Sequence, residues 1–302
     1  MAHKALLIGI NEYQDASRNL RGCVHDVEQV AELLVERFGF DSKDIDRLLN
    51  QDATTDRMRR RIRRLVEESK PGDVVVLHYS GHGSSVPDQD GDEEDMLDEC
   101  LCPHDVSWND AITDDWLRQQ FDRLPEGVNC TVIMDCCHSG SNTRDSADPE
   151  APVLHRHLPC PSELLPASGG KLKAARHRAQ SKSGHRSISF LGAPAAPAQP
   201  KQADLRETEM PEVLLAGCRD YQLSEDALID GQYSGAMTHS LVKTLRGESG
   251  SITYRELHAR MMGSMADAHE QVPQLEGRRE LLDRGFLAPP GEAERGSGVS
   301  GA

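Results

Sequence analysis

Two short segments of this chain carry the residue types that a cysteine nucleophile and its base require. "HYSGHGS" places His82 between two glycines, and "DCCHSGS" contains the doublet Cys136 and Cys137. A thiol that attacks a carbonyl carbon needs a base for its proton and hydrogen-bond donors for the oxyanion. Glycine lets the backbone come close to a bound group. The amides of Gly83 and Cys137 are therefore candidate oxyanion donors.

The same residues allow two other interpretations, a metal site and buried packing. Cys136, Cys137 and His138 are adjacent, and Cys100 and Cys102 lie upstream. Structural zinc sites usually separate paired cysteines by two to four residues, and neighbours in an extended chain point to opposite faces. Zinc is therefore disfavoured, whereas a buried structural cysteine stays an alternative. Spacing does not decide between Cys136 and Cys137 as the nucleophile.

Strand-like and helix-like patterns alternate along the chain. Two of the predicted strands lead directly into the two chemical segments. Short apolar runs predict strands over Lys4–Ile10, Val74–Tyr79, Cys130–Met134 and Val213–Ala216. Helical spacing of apolar residues predicts helices over Val24–Phe38, Thr55–Glu68, Asp114–Leu124, Gly235–Leu245 and Thr253–Met265. This alternation predicts an α/β fold with a mostly parallel sheet, and reactive groups gather where parallel strands end.

Composition excludes several classes of partner. The 302 residues carry a formal net charge of −16 with 4% aromatic residues, which disfavours nucleic acid. No apolar stretch approaches the ~18 residues of a membrane span, and the N-terminal apolar run predicts a core strand rather than a signal peptide. Eight cysteines in a chain of this length do not form a disulfide framework. We therefore expect reduced thiols and a cytoplasmic location.

Changes of composition divide the chain into four regions. Residues 1–145 form a large catalytic region, and residues 211–288 a small region that completes the same domain. Residues 146–210 between them are rich in Pro, Ala and Ser and predict a linker or long surface loop. Residues 289–302 predict a disordered tail. The linker holds an acid-free basic segment whose cations are Lys171, Lys173, Arg176, Arg178, Lys182 and Arg186.

The two chemical segments resemble the histidine and cysteine boxes of metacaspases, the caspase-like cysteine peptidases of plants, fungi, protists and bacteria. "LRGCVHDVEQVAELL" resembles the first helix of that family, and "LLAGCRDYQLSED", "GAMTHSLVKTL" and "QVPQLEG" resemble its small-subunit region. The resemblance covers roughly Lys4–Asp145 and Glu212–Phe286. It implies a caspase-like three-layer sandwich, with a mostly parallel sheet flanked by helices. It also implies Cys137 as the nucleophile and His82 as its partner.

Four further positions match the family's pocket for an Arg or Lys side chain. Ser80 and Asp135 each lie two residues before a catalytic candidate and so face the same way in an extended segment. Cys23 and Asp26 are three apart and share a helix face. The resemblance assigns all four to the pocket. Carboxylates would repel an aspartate, and the "QAC-x-G" signature of caspases is missing.

The acidic stretch "DQDGDEEDMLDEC" suggests a cation site, although it lacks the glycine that an EF-hand loop requires at position six. Many metacaspases have an activating calcium site, and the resemblance places its ligands at Asp98, Asp114, Asp115 and an acid a few residues after the nucleophile. The strict offset for that acid falls on Arg144 here, so we take the adjacent Asp145 as the fourth candidate. The alternative is a solvated acidic loop with Asp114 at or near the cap of the next helix.

The sequence therefore predicts a cysteine endopeptidase that acts on polypeptides after Arg or Lys, with no organic cofactor. A mobile basic segment is a good substrate for such an enzyme, so we expect self-cleavage within the linker. Family analogy predicts a monomer. Two alternatives stay open: a non-proteolytic interaction protein with the caspase fold, and a cysteine amidase or transferase.

Overall fold

A seven-stranded sheet forms the middle layer of the fold in the computed structural model, which describes residues 1–91, 93, 96–137, 153–165, 205–219, 222–266 and 268–290. The strands are β1 (His3–Gly9), β2 (Ile45–Leu49), β3 (Val74–Ser80), β4 (Gly83–Pro87), β5 (Leu97–Leu101), β6 (Ile112–Thr113), β7 (Asn129–Asp135), β8 (Val153–His155), β9 (Leu205–Glu207), β10 (Val213–Ala216), β11 (Glu225–Ile229), β12 (Gln232–Gly235) and β13 (Gln274–Gly277). The helices are α1 (Cys23–Phe38), α2 (Thr55–Glu67), α3 (Asp114–Phe121), α4 (Ala236–Gly247), α5 (Tyr254–Met265) and α6 (Arg279–Leu282).

The central sheet has the order β2-β1-β3-β7-β10-β13-β9. Its neighbouring strands are parallel except for β10 and β13, which are antiparallel. Two three-stranded sheets, β12-β11-β8 and β4-β5-β6, lie beside it. The prediction of a mostly parallel α/β sheet is confirmed.

Helices cover both faces of the central sheet because each face is apolar. Helices α2 and α3 pack on one face through Met58, Ile62, Leu117 and Phe121. Helices α1, α4 and α5 pack on the other through Val27, Val30, Leu241 and Leu257. The result is the three-layer arrangement that the sequence predicted.

The pairing of β3 with β7 brings the two chemical segments together. The strands are parallel, and their last paired residues are Ser80 and Asp135. His82 and Cys137 each follow two residues later, at the same edge of the sheet. This register places the histidine box beside the cysteine box.

Most element boundaries agree with the sequence prediction to within three residues. Helix α1 ends at Phe38 because Gly39 takes the left-handed conformation, with φ 70°, and its amide donates to the Leu34 carbonyl. Helix α3 is capped by Thr113, whose hydroxyl accepts from the Trp116 amide, so Asp114 is the first helical residue and lies next to the cap, as predicted.

The predicted linker contains ordered structure at both of its ends. Strand β8 pairs with β11, and β9 pairs with β13 at the edge of the central sheet. The basic residues at 171–186 and the tail from 291 lie outside the described residues. Within the described part of the chain, no helix has the length and apolar character needed to cross a bilayer.

Candidate active site

A fully buried arginine, Arg156, lies among three carboxylates at the edge of the sheet. Its Nη2 is 2.7 Å from Asp26 Oδ2 and 3.0 Å from Asp226 Oδ1, and its Nη1 is 3.4 Å from Asp135 Oδ2. All four side chains are 0% exposed. Buried charges are stable only when they are paired and hydrogen-bonded. The pocket is therefore built to hold a guanidinium.

The predicted pocket residues Cys23, Asp26, Ser80 and Asp135 all meet at this arginine. The Ser80 hydroxyl accepts a hydrogen bond of 2.8 Å from Arg156 Nη1 and donates one of 2.7 Å to Asp26. Cys23 is also fully buried, and burial raises the pKa of its thiol well above the usual value, although Arg156 and a hydrogen bond with Ser80 act in the opposite direction. The structure thus brings together the four residues that the resemblance assigned to one pocket.

The pocket walls hold the carboxylates in place. Asp26 accepts from the Ser234 hydroxyl at 2.6 Å and from the Gly235 amide at 3.0 Å. A side chain at Gly235 would collide with the Asp135 carboxylate and the guanidinium, so only glycine fits there. Asp226 accepts from two backbone amides at the start of α1, which fixes its position.

Burial and charge act in opposite directions on the pocket carboxylates. Burial raises the pKa of Asp26, and Arg156 only partly offsets it. Burial also acts to raise the pKa of Asp135, but Arg156 and the hydroxyls of Ser224 and Thr238 outweigh it and hold that pKa below its usual value. One guanidinium thus faces three acids in this pocket.

The backbone around Arg156 lies in the cleft as a bound peptide would. Strand β8 pairs antiparallel with β11, and the Arg156 amide continues this pairing with a 3.0 Å bond to the Ser224 carbonyl. The Arg156 carbonyl oxygen accepts from the amides of Gly83 at 3.0 Å and Cys137 at 3.1 Å. These are the two donors that the sequence predicted for an oxyanion.

The two adjacent cysteines have different surroundings. Cys136 belongs to the apolar cluster under α2 and α3, and burial raises the pKa of its thiol well above the usual value. Cys137 belongs to neither apolar cluster. Its Sγ accepts from the Ser224 amide at 2.5 Å and lies 3.6 Å from the Ser224 carbonyl oxygen. These surroundings favour Cys137 as the reactive thiol and Cys136 as packing.

His82 is held by the loop that follows β1. Its Nε2 donates to the Arg18 carbonyl at 2.8 Å, and its backbone amide donates to the Tyr13 hydroxyl at 2.8 Å. Nε2 therefore carries the proton, and Nδ1 is the basic nitrogen; within the described residues, Nδ1 is buried without a hydrogen-bond partner. Burial lowers the pKa of His82 to about 3, so the ring is neutral at pH 7. In this state His82 and Cys137 are not hydrogen-bonded to each other.

The acidic residues predicted to bind calcium are partly assembled. Burial raises the pKa of Asp114 to about 8, and Asp115, Glu93 and Asp98 add to the shift as nearby negative charges. Asp115 forms an ion pair with Arg118. Residue 145 lies outside the described residues, and in the described ranges no three His, Cys, Asp or Glu side chains are arranged to hold a metal ion.

Comparison with known proteins decides the family. The family model "Metacaspase, peptidase C14 domain" matches residues 3–144. Metacaspase-1 of Pyricularia oryzae is 34% identical over 291 residues, which cover 90% of this chain and 70% of that protein. The chain belongs to the metacaspase family. Metacaspase-7 of Arabidopsis thaliana is 42% identical over 146 residues, but the match covers only 35% of that longer metacaspase.

Solved structures agree with the metacaspase fold. Protein GSU0716 of Geobacter sulfurreducens matches with a TM-score of 0.64 at 23% identity, covering 96% of this chain and 99% of that one. Caspase-1 of Spodoptera frugiperda matches with a TM-score of 0.54 at 11% identity, covering 97% and 92%. The predicted family and the caspase-like fold are confirmed, and the family is one of cysteine-type peptidases.

Some residues of this metacaspase site were missed by sequence reasoning. Asp226 is the last residue of "LLAGCRDYQLSED", and the resemblance of this segment to the small-subunit region implies no role for that acid. The Arg18 carbonyl orients His82, and a backbone group carries no sequence signal. Arg156 lies in the predicted linker, as a single arginine upstream of the longer basic run at 171–186 that predicts self-cleavage.

Proposed function

We propose that this chain is a cysteine endopeptidase that cleaves polypeptides on the carboxyl side of arginine and, less efficiently, lysine. The observation that carries the proposal is the buried guanidinium of Arg156 among Asp26, Asp135 and Asp226. A planar guanidinium presents two nitrogens to these acids at once. The ammonium of lysine presents one centre of charge, so we expect arginine to be preferred.

The proposed mechanism uses the neutral imidazole of His82 as the general base. Nε2 stays protonated on the Arg18 carbonyl, which leaves Nδ1 to take the proton of Cys137. The thiolate attacks the carbonyl after the bound arginine, and the amides of Gly83 and Cys137 stabilise the oxyanion. His82 then protonates the leaving amine, and water hydrolyses the thioester.

The backbone contacts favour a polypeptide substrate over a small amide. The described chain pairs β11 with an extended segment and continues that pairing to the Arg156 amide. Strand pairing of this kind binds the main chain of an extended peptide, and a small amide has no main chain to form it. This observation argues against the amidase or transferase alternative, and a measured peptidase activity would exclude the non-proteolytic one.

Fluorogenic peptides ending in Arg, Lys, Asp or Ala provide the test, with wild type and Cys137→Ala compared side by side. We expect hydrolysis of the Arg and Lys peptides by wild type only, and labelling of Cys137 by an Arg-based fluoromethylketone. Asp26→Ala should lose most Arg cleavage. Equal hydrolysis of the Asp and Arg peptides, or full activity of Cys137→Ala, would refute the proposal.

We further propose self-cleavage within the basic linker segment, whose residues 171–186 lie outside the described part of the chain. Those cations fit the acidic pocket, and intact-mass analysis of wild type against Cys137→Ala would detect the cuts. A single uncut mass for an active preparation would contradict this.

We also propose that Ca²⁺ activates the enzyme through Asp98, Asp114 and Asp115. The support is the buried Oδ1 of Asp114, which accepts no hydrogen bond from the described residues, and the raised pKa of that group. Oxygen-rich acidic groups are what Ca²⁺ prefers, and the bound ion would offset their mutual repulsion. Calorimetry of wild type and Asp114→Asn with Ca²⁺ would test binding separately from activity.

A monomer in a reducing compartment completes the proposal. In the described part of the chain, the edge strand β9 is three residues long and covers β13, so it offers little edge for pairing with a second copy. All eight cysteines are free thiols, which suits the cytoplasm. Light scattering after size-exclusion chromatography would test the monomeric state.

A further inference from the structure

The segment 153–158 is held at both of its ends by the residues around His82 and Cys137. On the N-terminal side, β8 pairs with β11. On the C-terminal side, the Leu158 amide donates to the Gly83 carbonyl at 2.9 Å, and the Ser84 hydroxyl donates to the Leu158 carbonyl at 2.5 Å. Arg156 lies between these contacts with its side chain in the acidic pocket.

We propose that the peptide bond between Arg156 and His157 is a self-cleavage site, and that segment 153–158 keeps other polypeptides out of the cleft until this bond is cut. The inference rests on the proposed function, because it uses the same nucleophile and pocket. It differs from cleavage in the basic run at 171–186, since it names a bond upstream of that run.

The position of the Arg156 carbonyl identifies the bond. This oxygen accepts from the Gly83 and Cys137 amides, which are the donors proposed for the oxyanion. Both donors are therefore aimed at the carbonyl whose carbon joins the His157 nitrogen. A carbonyl held in this way is the one whose oxyanion the two amides would stabilise when the Cys137 thiol attacks.

The step balances without any further reagent except water. The Cys137 sulfur bonds to the Arg156 carbonyl carbon, and the bond from that carbon to the His157 nitrogen breaks. The thiol proton passes through His82 to the His157 nitrogen, which leaves as a free amine. Water then hydrolyses the thioester and yields an Arg156 carboxylate and the free thiol.

The Cys137 thiol must move before the attack. Its Sγ is engaged with the backbone of Ser224, and it is not hydrogen-bonded to His82. Attack requires the sulfur to leave Ser224 and turn towards Nδ1 of His82. The structure therefore represents an intact precursor in which the bond is positioned and the nucleophile is not yet engaged.

The same contacts explain why the uncut segment excludes other substrates. A second polypeptide would need the pocket acids, both oxyanion donors and the edge of β11, and the segment occupies all of them. Because the segment belongs to the same chain, its effective concentration is in the millimolar range or above. Cleavage leaves Arg156 at a chain end, tethered on one side only, which lets it leave the pocket.

Intact-mass analysis and terminal sequencing of the full-length protein test the cleavage site. We expect wild type to acquire a new N-terminus at His157 and a new C-terminus at Arg156. Arg156→Lys should still be cut, more slowly, because lysine keeps the positive charge. Arg156→Gln and Cys137→Ala should stay intact at this bond. Wild type should be cut at a rate that does not change over a tenfold dilution.

Hydrolysis of a fluorogenic Arg peptide by the same samples tests the block. Wild type should show a lag that ends as the bond is cut, whereas Arg156→Gln should hydrolyse the peptide without a lag. Two results would overturn the inference and leave the proposed function standing: an active wild type with this bond intact, or a cut that survives Arg156→Gln. A wild type with neither activity would overturn both.

Discussion

Replacing Asp226 by asparagine removes one pocket charge and nearly preserves the side-chain shape. Asp226 Oδ1 is 3.0 Å from Arg156 Nη2, and both groups are fully buried. At an effective dielectric constant of about 20, a unit-charge pair at that distance attracts by roughly 5 kcal/mol. The loss should be smaller, because Asp26 and Asp135 remain and the desolvation cost of the third carboxylate disappears. We expect a net loss of about 2–3 kcal/mol towards a bound arginine.

A loss of this size corresponds to a kcat/KM that is roughly 30-fold to 150-fold lower. The assay compares an Arg peptide with the matched citrulline peptide, which has the same shape without the charge. The ratio of the two kcat/KM values does not depend on how much of the enzyme is active. Asp226→Asn should lower this ratio by the stated factor.

Asp230→Asn is the matched control, since Asp230 lies in the turn between β11 and β12 with its side chain 74% exposed. Asparagine also tolerates the positive φ of 52° at that position. The control should leave the ratio unchanged. An Arg-to-citrulline ratio in Asp226→Asn within threefold of wild type would show that this acid does not select the substrate, and the three-acid pocket would have to be abandoned.

Three further predictions concern the pocket wall, a buried histidine and the acidic cluster. Gly235→Ala should lower kcat/KM for the Arg peptide at least tenfold, because the new methyl group would overlap the Asp135 carboxylate. The control Gly263→Ala should keep kcat/KM within twofold of wild type, because a Cβ at that position meets no other atom. Equal kcat/KM values for the two variants would contradict the steric argument. Burial lowers the pKa of His78 to about 4, below about 6.5 in the unfolded chain, so the unfolded state binds more protons between these values. The free energy of unfolding should therefore fall as the pH drops from about 6.5 to 4, and His78→Asn should reduce this fall in urea titrations by up to about 3 kcal/mol; an unchanged slope would exclude His78. Asp114 has its pKa raised to about 8, so the stability that it contributes in its protonated form is lost as the pH rises towards 8. Asp114→Asn should raise Tm at pH 8 in a chelator and abolish the Tm increase that millimolar Ca²⁺ gives wild type; an undiminished Ca²⁺ response would remove this residue from the site.

The large elements could be predicted because their signals are local. Apolar spacing and Gly39 predict a helix over 24–38, and in the structure this helix begins one residue earlier and ends at the same residue. The strand before His82 was read from a continuous apolar run, as expected for a strand buried on both faces. Such patterns depend only on neighbours along the chain.

The pocket could be predicted only in part because its members come from distant elements. Ser80 and Asp135 are accessible to sequence reasoning, since each belongs to a recognisable box and lies two residues before its catalytic candidate. Asp226 was not, because its role depends on β11 folding back to the start of α1. No spacing rule relates that acid to Asp26, which lies 200 positions earlier along the chain.

The segment at 153–158 was assigned to a linker for a related reason. Strand β8 has three residues, and its extended form comes from pairing with β11. Because arginine side chains are mostly exposed, the Pro-rich sequence around Arg156 predicts a solvated side chain unless a buried partner is known. Its burial follows from three acids, none of them near it in sequence. Sequence patterns therefore predict the scaffold and the two boxes. The position of Arg156 in the acidic pocket depends on pairing between distant segments, which such patterns do not predict.

Strand β7 lies before the segment between residues 137 and 205, and strand β10 lies after it. Because these two strands pair in one sheet, a single cut in that segment would not separate the two fragments. The backbone could be severed anywhere between residues 137 and 205, and the fragments would still share one hydrogen-bonded sheet and one apolar interior. A nicked molecule should therefore run as two bands on a denaturing gel while eluting as a single native particle. Full disassembly would require a denaturant and not a protease.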